Sequence, residues 1–305
     1  MPYIPALGVW ILGQIALLLA AIRVMSTSSS PSSGSVWSAG PLACLAAVVF
    51  PATINNMLAG QNGALSAALL GGGLVILDRR PILAGLLFGL LIYKPHLGIM
   101  LPFALLAIRA WRTIAAAIVS AITVSLVSLL VFGTAPWLGF FQTAATGAKA
   151  LEFGQVHWPK IATVFAALRL AGADVSFAYT VQAITAVLAI LAVIYLWQRK
   201  TSTFIALPVR ASGLLFATFL ATPYAFFYDL VVLIFPILWL GAVAKNHGGR
   251  GLRLTNAVLW TAPVALWLLA SYSHISLWPV LLAGCLIWLL FHSKNKPDEQ
   301  VHLPE

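Results

Sequence analysis

The chain reads as an all-α, polytopic integral membrane protein of about eleven transmembrane helices, and three observations lead there. Of its 305 residues, 61% are hydrophobic and 8% charged, and the mean hydropathy is +0.99. No soluble core of this size needs so much apolar sequence. The apolar residues fall into runs of about 12 to 23 residues, separated by turn-forming or charged clusters. The 17 Lys and Arg against 7 Asp and Glu sit singly or in pairs at the ends of those runs. They form no continuous patch, which argues against a nucleic-acid partner and reads as a membrane topology signal.

In order, the runs are Pro5 to Val24, Val36 to Leu58, Gly63 to Leu77, Ile82 to Tyr93, Leu97 to Ile108, Thr113 to Phe132, Phe177 to Trp197, Ala211 to Thr222, Leu230 to Val243, Thr255 to Ala270 and Leu277 to Phe291. The first lacks a basic leader and a cleavage site, so it is read as a retained span. Ser26 to Ser33 is a loop by composition. Alternating the runs across a bilayer puts Arg23, Arg79, Arg80, Arg109, Arg112, Arg199, Lys200, Arg210, Lys245, Arg250, Arg253, Lys294 and Lys296 on one side, and only Lys94, Lys149, Lys160 and Arg169 on the other. The first side is cytoplasmic by the positive-inside rule. Residues 1–293 then form a single transmembrane domain, with 133–176 an outer loop and 294–305 a polar cytoplasmic tail. Within the outer loop, Ile161 to Leu170 has helical apolar spacing and is expected to lie along the interface or cap a cavity.

The stretch from Gly60 to Ala107 holds two short runs with polar ends. As helices, Gly63 to Leu77 and Ile82 to Tyr93 span roughly 18 to 23 Å, against a hydrocarbon core of about 30 Å. With Arg79 and Arg80 anchoring their shared turn, Gln61, Asn62 and Lys94 fall in a recess below the opposite surface. A single helix through Ile82 to Ile108, kinked at Pro95, would strand Lys94 in mid-membrane. A second polar cluster, Tyr224 to Asp229, ends another short run on the same side.

Chemistry narrows to few residues. Glu152, Asp174 and Asp229 are the outer-side acids, and Asp229 is the most unusual because a carboxylate at the edge of hydrocarbon is costly unless paired or functional. Lys94 is the matching cation, its anionic partner being either Asp229 or a lipid phosphate. His96 and His157 could exchange protons. Cys44 and Cys285 have neither CxxC spacing nor a neighbouring His, so no disulfide, metal site or cofactor is expected. No nucleotide-binding fingerprint opens a helix, and Gly71-Gly72-Gly73 lies inside an apolar run, where it favours close helix packing. A soluble nucleotide-sugar donor is therefore disfavoured. Lys94 on a phosphate, with amides from Gln61 and Asn62, would suit a lipid-linked head group.

GQNGALSAALL, LDRRPILAGLLFGLLIYKPHLGIMLPFALL, WPKIATVFAALRLAGA and LLFATFLATPYAFFYDLVVL, in this order, resemble the bacterial membrane proteins of glycosyltransferase family 87, also catalogued as domain of unknown function family 2029. The resemblance covers Gly60 to Leu240, more weakly Pro2 to Val24. It implies a C-type glycosyltransferase fold and polyprenol-phosphate-mannose-dependent alpha-1,2-mannosyltransferase-like chemistry. Gly60-Gln61-Asn62, Tyr93-Lys94-Pro95 and Pro223-Tyr224 through Tyr228-Asp229 match family positions on the outer face. The family's catalytic Asp is expected on a first outer loop upstream of Met1, so no residue here inherits that role, and weak or absent transfer is expected of this chain alone.

The sequence thus points to a multi-pass protein of the bacterial plasma membrane, its active-site side extracytoplasmic, that transfers a hexose such as mannose. The donor would be a polyprenyl-phosphate sugar, the acceptor a glycan or glycolipid, and the remaining partners membrane lipids. Asp229, Glu152 and His157 are the candidates for catalysis. Gln61, Asn62, Tyr93, Lys94, His96, Tyr224, Tyr228 and Asp229 are the candidates for substrate binding. A secondary transporter or lipid flippase is the alternative, because short spans meeting at a polar recess are also transporter features. No inverted repeat supports it.

Overall fold

The computed structural model describes residues 2–27, 40–199, 206–247 and 250–292. The polar tail, Lys200 and most of the Ser-rich loop lie outside the described residues. Among them every apolar run coincides with helix: α1 (Tyr3–Thr27), α2 (Gly40–Val48), α3 (Pro51–Leu58), α4 (Gly63–Ile76), α5 (Pro81–Gly89), α6 (Leu101–Ala107), α7 (Trp111–Phe132), α8 (Ala135–Glu152), α9 (Val164–Leu170), α10 (Val175–Gln198), α11 (Ala206–Ala221), α12 (Ile234–His247), α13 (Arg250–Ser273) and α14 (Trp278–His292). Five helical segments are long and apolar enough to cross a membrane, or six if α2 and α3, bent by 51°, make one span. The other apolar segments are shorter, at 10–17 residues, so eleven runs become helix without eleven full-length crossings.

The breaks have local causes. Pro51 opens α3, and Phe50 before it is extended at φ −59°, ψ 127°, because a residue preceding proline is disfavoured in the α region. The same rule acts at Lys94-Pro95. Helix α5 tightens into a 3-10 turn over Leu90–Tyr93, Lys94 leaves helical geometry at φ −138°, ψ 64°, and a second 3-10 turn over Pro95–Gly98 leads into α6. Residues 81–108 are therefore a hairpin and not one kinked helix. Its feet meet, since Asp78, Pro81, Ile108 and Arg109 line one concavity, and Lys94 is at its tip.

Helix α7 then runs alongside α5 in the same direction. A Cβ on Gly85 would strike the Thr113 carbonyl, and one on Gly89 the Ala117 carbonyl. Backbone approaches backbone here because the glycines allow it, and the Ser120 hydroxyl donates to the Leu86 carbonyl at 2.8 Å.

The centre is filled by α11 and by the chain after Phe226. Leu214, Leu215, Phe216, Ala217 and Phe219 are fully buried, as are Leu230 through Phe235. Helix α4 lies against this centre, with Gly71 making room for the Phe235 ring. Charged residues gather at both ends of the 81–108 hairpin. Arg80, Arg109 and Arg112 line adjoining concavities with Asp78, and Arg210 Nη2 donates to both Asp78 carboxylate oxygens at 3.0 and 2.8 Å. Lys94 and Asp229 meet at the other end.

Two features of the 133–176 segment differ from expectation. It contains an 18-residue helix, α8, which the sequence conceals because apolar Leu138, Phe140 and Phe141, all exposed, alternate with small and polar residues. The expected helix over Ile161 to Leu170 begins only at Val164. Ile161 instead forms an isolated antiparallel bridge with Phe226, the Ala162 N–H donates to the Ala225 carbonyl at 2.9 Å, and the Thr163 side chain caps α9 by accepting from the Ala166 N–H.

Candidate functional site

Lys94 and Asp229, 135 residues apart in sequence, form a direct ion pair with Nζ to Oδ1 at 2.6 Å. Asp229 is 1% exposed and Lys94 12%. The other carboxylate oxygen accepts the Phe226 N–H at 3.0 Å, so both oxygens are engaged. An ion pair this far from water is retained only if each charge is answered by the other or by further donors, since one alone would be costly to bury. Of the two partners open to Lys94 in the sequence, the structure gives it Asp229.

The rest of the pocket is built around that pair. Lys94 Nζ lies 4.8 Å from the centre of the Tyr228 ring, a distance at which the ring face attracts a cation. Tyr228 stacks on Phe226, the rings 5.4 Å apart and 7° from parallel. An ammonium has three N–H donors. With one on Asp229 and the cation over Tyr228, donor capacity remains for a further anion. His96 Nε2 is 4.0 Å from Asp229 Oδ2 and has no hydrogen-bond partner.

Helix α4 begins at the same place. A Cβ on Gly63 would fall inside the Tyr228 carbonyl oxygen, so only glycine lets the 226–229 segment lie across the start of α4. The Gly63 N–H donates to Asn56 Oδ1 at 2.6 Å. Asn56 Nδ2 in turn donates to Gln14 Oε1 at 3.1 Å, and Gln14 Nε2 to the Gln61 carbonyl at 2.8 Å. Asn62 occupies the cap position of α4 without making a side-chain cap, and its Oδ1 is buried without a partner. Tyr93 and Ser66 hydroxyls are 2.9 Å apart.

The structure thus gathers Lys94, His96, Tyr228 and Asp229 directly, with Gln61, Asn62 and Tyr93 around the start of α4. The remaining candidates stand apart. Glu152 accepts from the Tyr179 hydroxyl at 3.0 Å. Tyr224 adjoins that group, and burial, with the Glu152 carboxylate nearby, pushes its hydroxyl above the ordinary phenol value. Asp174 caps α10 by accepting from the Phe177 N–H at 2.8 Å, a structural duty. His157 is exposed at the start of a 3-10 turn, and no hydrogen bond or ion pair ties its side chain to Lys94 or Asp229. Sequence reasoning missed Gln14 and Asn56. Their signal was available, as lone amides inside apolar runs.

The two concavities of about 440 and 370 Å³ lie at the opposite, arginine-lined end and touch none of these residues. The ion pair is a polar cluster at the hairpin tip, and its candidacy rests on charge and position.

No curated protein and no solved structure matches the chain. The family model for glycosyltransferase family 87 matches residues 1–223, which takes in Gln61, Asn62, Tyr93, Lys94 and His96. Tyr224, Tyr228 and Asp229 lie beyond its end, and of these Tyr228 and Asp229 enter the site on their contacts alone. With the match running over most of its length, and with helices able to span a bilayer, this chain belongs to glycosyltransferase family 87, a family of membrane glycosyltransferases.

Proposed function

We propose that the protein transfers a hexose such as mannose from a polyprenyl-phosphate-linked donor to an extracytoplasmic glycan or glycolipid acceptor in the bacterial plasma membrane. The observation that carries this reading is the Lys94–Asp229 pair at the tip of the 81–108 hairpin. A cation held there, with donor capacity to spare, supports binding of a phosphate whose lipid tail stays in the bilayer. As the sugar leaves, negative charge grows on that phosphate, and a fixed ammonium stabilises it more in the transition state than before. Of the two atoms without partners, Asn62 Oδ1 can accept from a sugar hydroxyl, and His96 Nε2 can meet a sugar hydroxyl or, when it carries a proton, donate to phosphate. Asp229 spends both oxygens on Lys94 and the Phe226 N–H, which suits it to holding Lys94 in place and not to deprotonating an acceptor.

The test measures donor binding and transfer separately. Purified protein in nanodiscs is given a radiolabelled polyprenyl-phosphate hexose, and retained donor is counted before any acceptor is added. Lys94→Met should reduce donor retention and lower whatever transfer the chain supports by about 10²-fold, and Lys94→Arg should recover part of each because a guanidinium presents the charge in a different shape. Full donor retention by Lys94→Met would overturn the phosphate assignment.

A further inference from the structure

We infer that α8 is a surface-bound membrane helix, lying along the leaflet at the Lys94 end of the molecule with one face among the lipid acyl chains. Its two ends fix its tilt. The spans α7 and α10 share the arginine end: Arg112, at the start of α7, lines one concavity with Asp78, and the Trp197 indole near the end of α10 donates to the carbonyl of Arg210, which bridges Asp78. The end of α7 and the start of α10 therefore lie together at the opposite boundary of the membrane. Helix α8 connects them. Only Gly133 and Thr134 separate it from α7, a reach of at most about 11 Å. At its other end the Glu152 carboxylate accepts from the Tyr179 hydroxyl, near the start of α10, and the Leu151 carbonyl accepts from Trp158 Nε1 at 2.8 Å. A rod of 18 residues, about 27 Å long, with both ends at one boundary runs along the bilayer and not away from it.

Its residues then sort by face. At about 100° per residue, Trp137, Leu138, Phe140, Phe141, Ala148 and Leu151 fall within one arc, and Gln142, Thr143, Thr146 and Lys149 within the other. The apolar arc starts at hydrocarbon and ends in protein. Before it, Leu130, Val131 and Phe132 close α7 at 84%, 66% and 68% exposure, in a helix whose apolar stretch is only 6% buried. At its far end, Leu151 is buried with Ile161, Phe165 and Ala178. Between these anchors Leu138, Phe140 and Phe141 are 60 to 63% exposed. The rings of Trp137, Phe140 and Phe141 contact one another, and among the described residues none of these four joins an apolar core.

Depth decides what covers this face. Lying level with the lipid headgroups and continuous with the lipid-facing end of α7, it meets acyl chains without any further partner, and aromatic side chains favour that boundary. A second copy of the chain would first have to displace the lipid.

The experiment places a nitroxide at one position at a time, through Leu138→Cys, Phe141→Cys, Gln142→Cys or Thr146→Cys, in the full chain carrying Cys44→Ala and Cys285→Ala, in vesicles of phosphatidylcholine and phosphatidylglycerol. Relaxation by oxygen, which collects in hydrocarbon, is compared with relaxation by a water-soluble nickel chelate. Labels at 138 and 141 should read about 5 to 10 Å into the headgroup–acyl boundary, and those at 142 and 146 should read as water-exposed. All four replaced side chains are exposed, and a symmetric size-exclusion peak checks that each variant is folded. If the cysteine-free background does not fold, a benzoylphenylalanine at position 141 of the otherwise unchanged chain decides the matter, since ultraviolet light should join it to lipid and should not do so at position 146. A chain-to-chain crosslink through position 141, or spin–spin broadening there that disappears on dilution with unlabelled chain, would assign the face to a second copy. Equal access of the nickel chelate to all four labels would show α8 standing clear of the bilayer. Either result overturns the inference.

Discussion

Replacing Asp229 by Asn tests whether the ion pair is a buried charge pair or an incidental surface contact. The substitution keeps the shape and leaves one oxygen to accept the Phe226 N–H, but it removes the anion 2.6 Å from Lys94 Nζ. Lys94 is then an uncompensated ammonium with 12% of its side chain exposed. Breaking a buried pair from one side costs about 3 to 5 kcal/mol. The residual exposure of Lys94 argues for the lower figure, about 3 kcal/mol. Replacing both partners, as Lys94→Met with Asp229→Asn, should restore much of that loss, because neither side chain then carries a charge that must be answered.

The assay is reversible unfolding by steric trapping in bicelles, run on the parent, the two single variants and the double variant as a cycle. The expected pattern is a large loss for Asp229→Asn, a comparable loss for Lys94→Met, which strands the carboxylate, and a coupling free energy of at least about 2 kcal/mol. The double variant should fold and still fail to retain the lipid-linked donor. Asp229→Asn within about 0.5 kcal/mol of the parent, or a double variant no better than either single one, would refute the claim that the charges are mutually dependent.

Gly63→Ala places a methyl group inside the Tyr228 carbonyl, so the 226–229 segment must move. Overpacking of this kind costs about 1 to 3 kcal/mol, and a thermal scan of the purified variant should show it together with reduced donor retention. Introduced cysteines beside Arg80 and Glu152 should be labelled by a membrane-impermeant reagent from opposite faces of sealed vesicles, the Arg80 site from the cytoplasmic side. Labelling of both from one face would refute the orientation.

Much of the fold could be read in the sequence because hydrophobic length and proline position are local signals. Pro95 disfavours helical geometry at Lys94, and a continuous helix would strand that ammonium in mid-membrane, so the break could be read. That Lys94 and Asp229 share a site followed from depth alone: both stand at the ends of short runs on one side, where an unanswered charge is expensive. Their direct contact did not follow, because it depends on how α4 and the 226–229 segment cross, which is decided by the absence of a side chain at Gly63. Helix α8 escaped notice because its apolar residues are diluted by small and polar ones. The bridge from Ile161 to Phe226 escaped for another reason: a two-residue extended contact leaves no periodicity to read. The parallel setting of α5 and α7 is likewise a tertiary fact, written in Gly85 and Gly89 only once the helices that meet there are known.

The placement of the ion pair bears on how the site could work. Asp229 is fixed by three separate ties: its own bond to the Phe226 N–H, the bridge from Ile161 and Ala162 to the 225–226 backbone, and the seating of the Tyr228 carbonyl on Gly63. Lys94 stands between two 3-10 turns. Before substrate arrives the pair is neutral, so the hairpin tip can sit near hydrocarbon without a net charge. A phosphate entering beside Lys94 would meet an ammonium already desolvated and oriented, with donor capacity unspent, and would not have to strip water from it. Asp229 therefore contributes by prior alignment of the cation, and a bound phosphate contributes its charge where the local dielectric is low and the attraction is strong. Removing either Lys94 or the carboxylate that aligns it should impair donor use, the first by deleting the contact and the second by letting it wander.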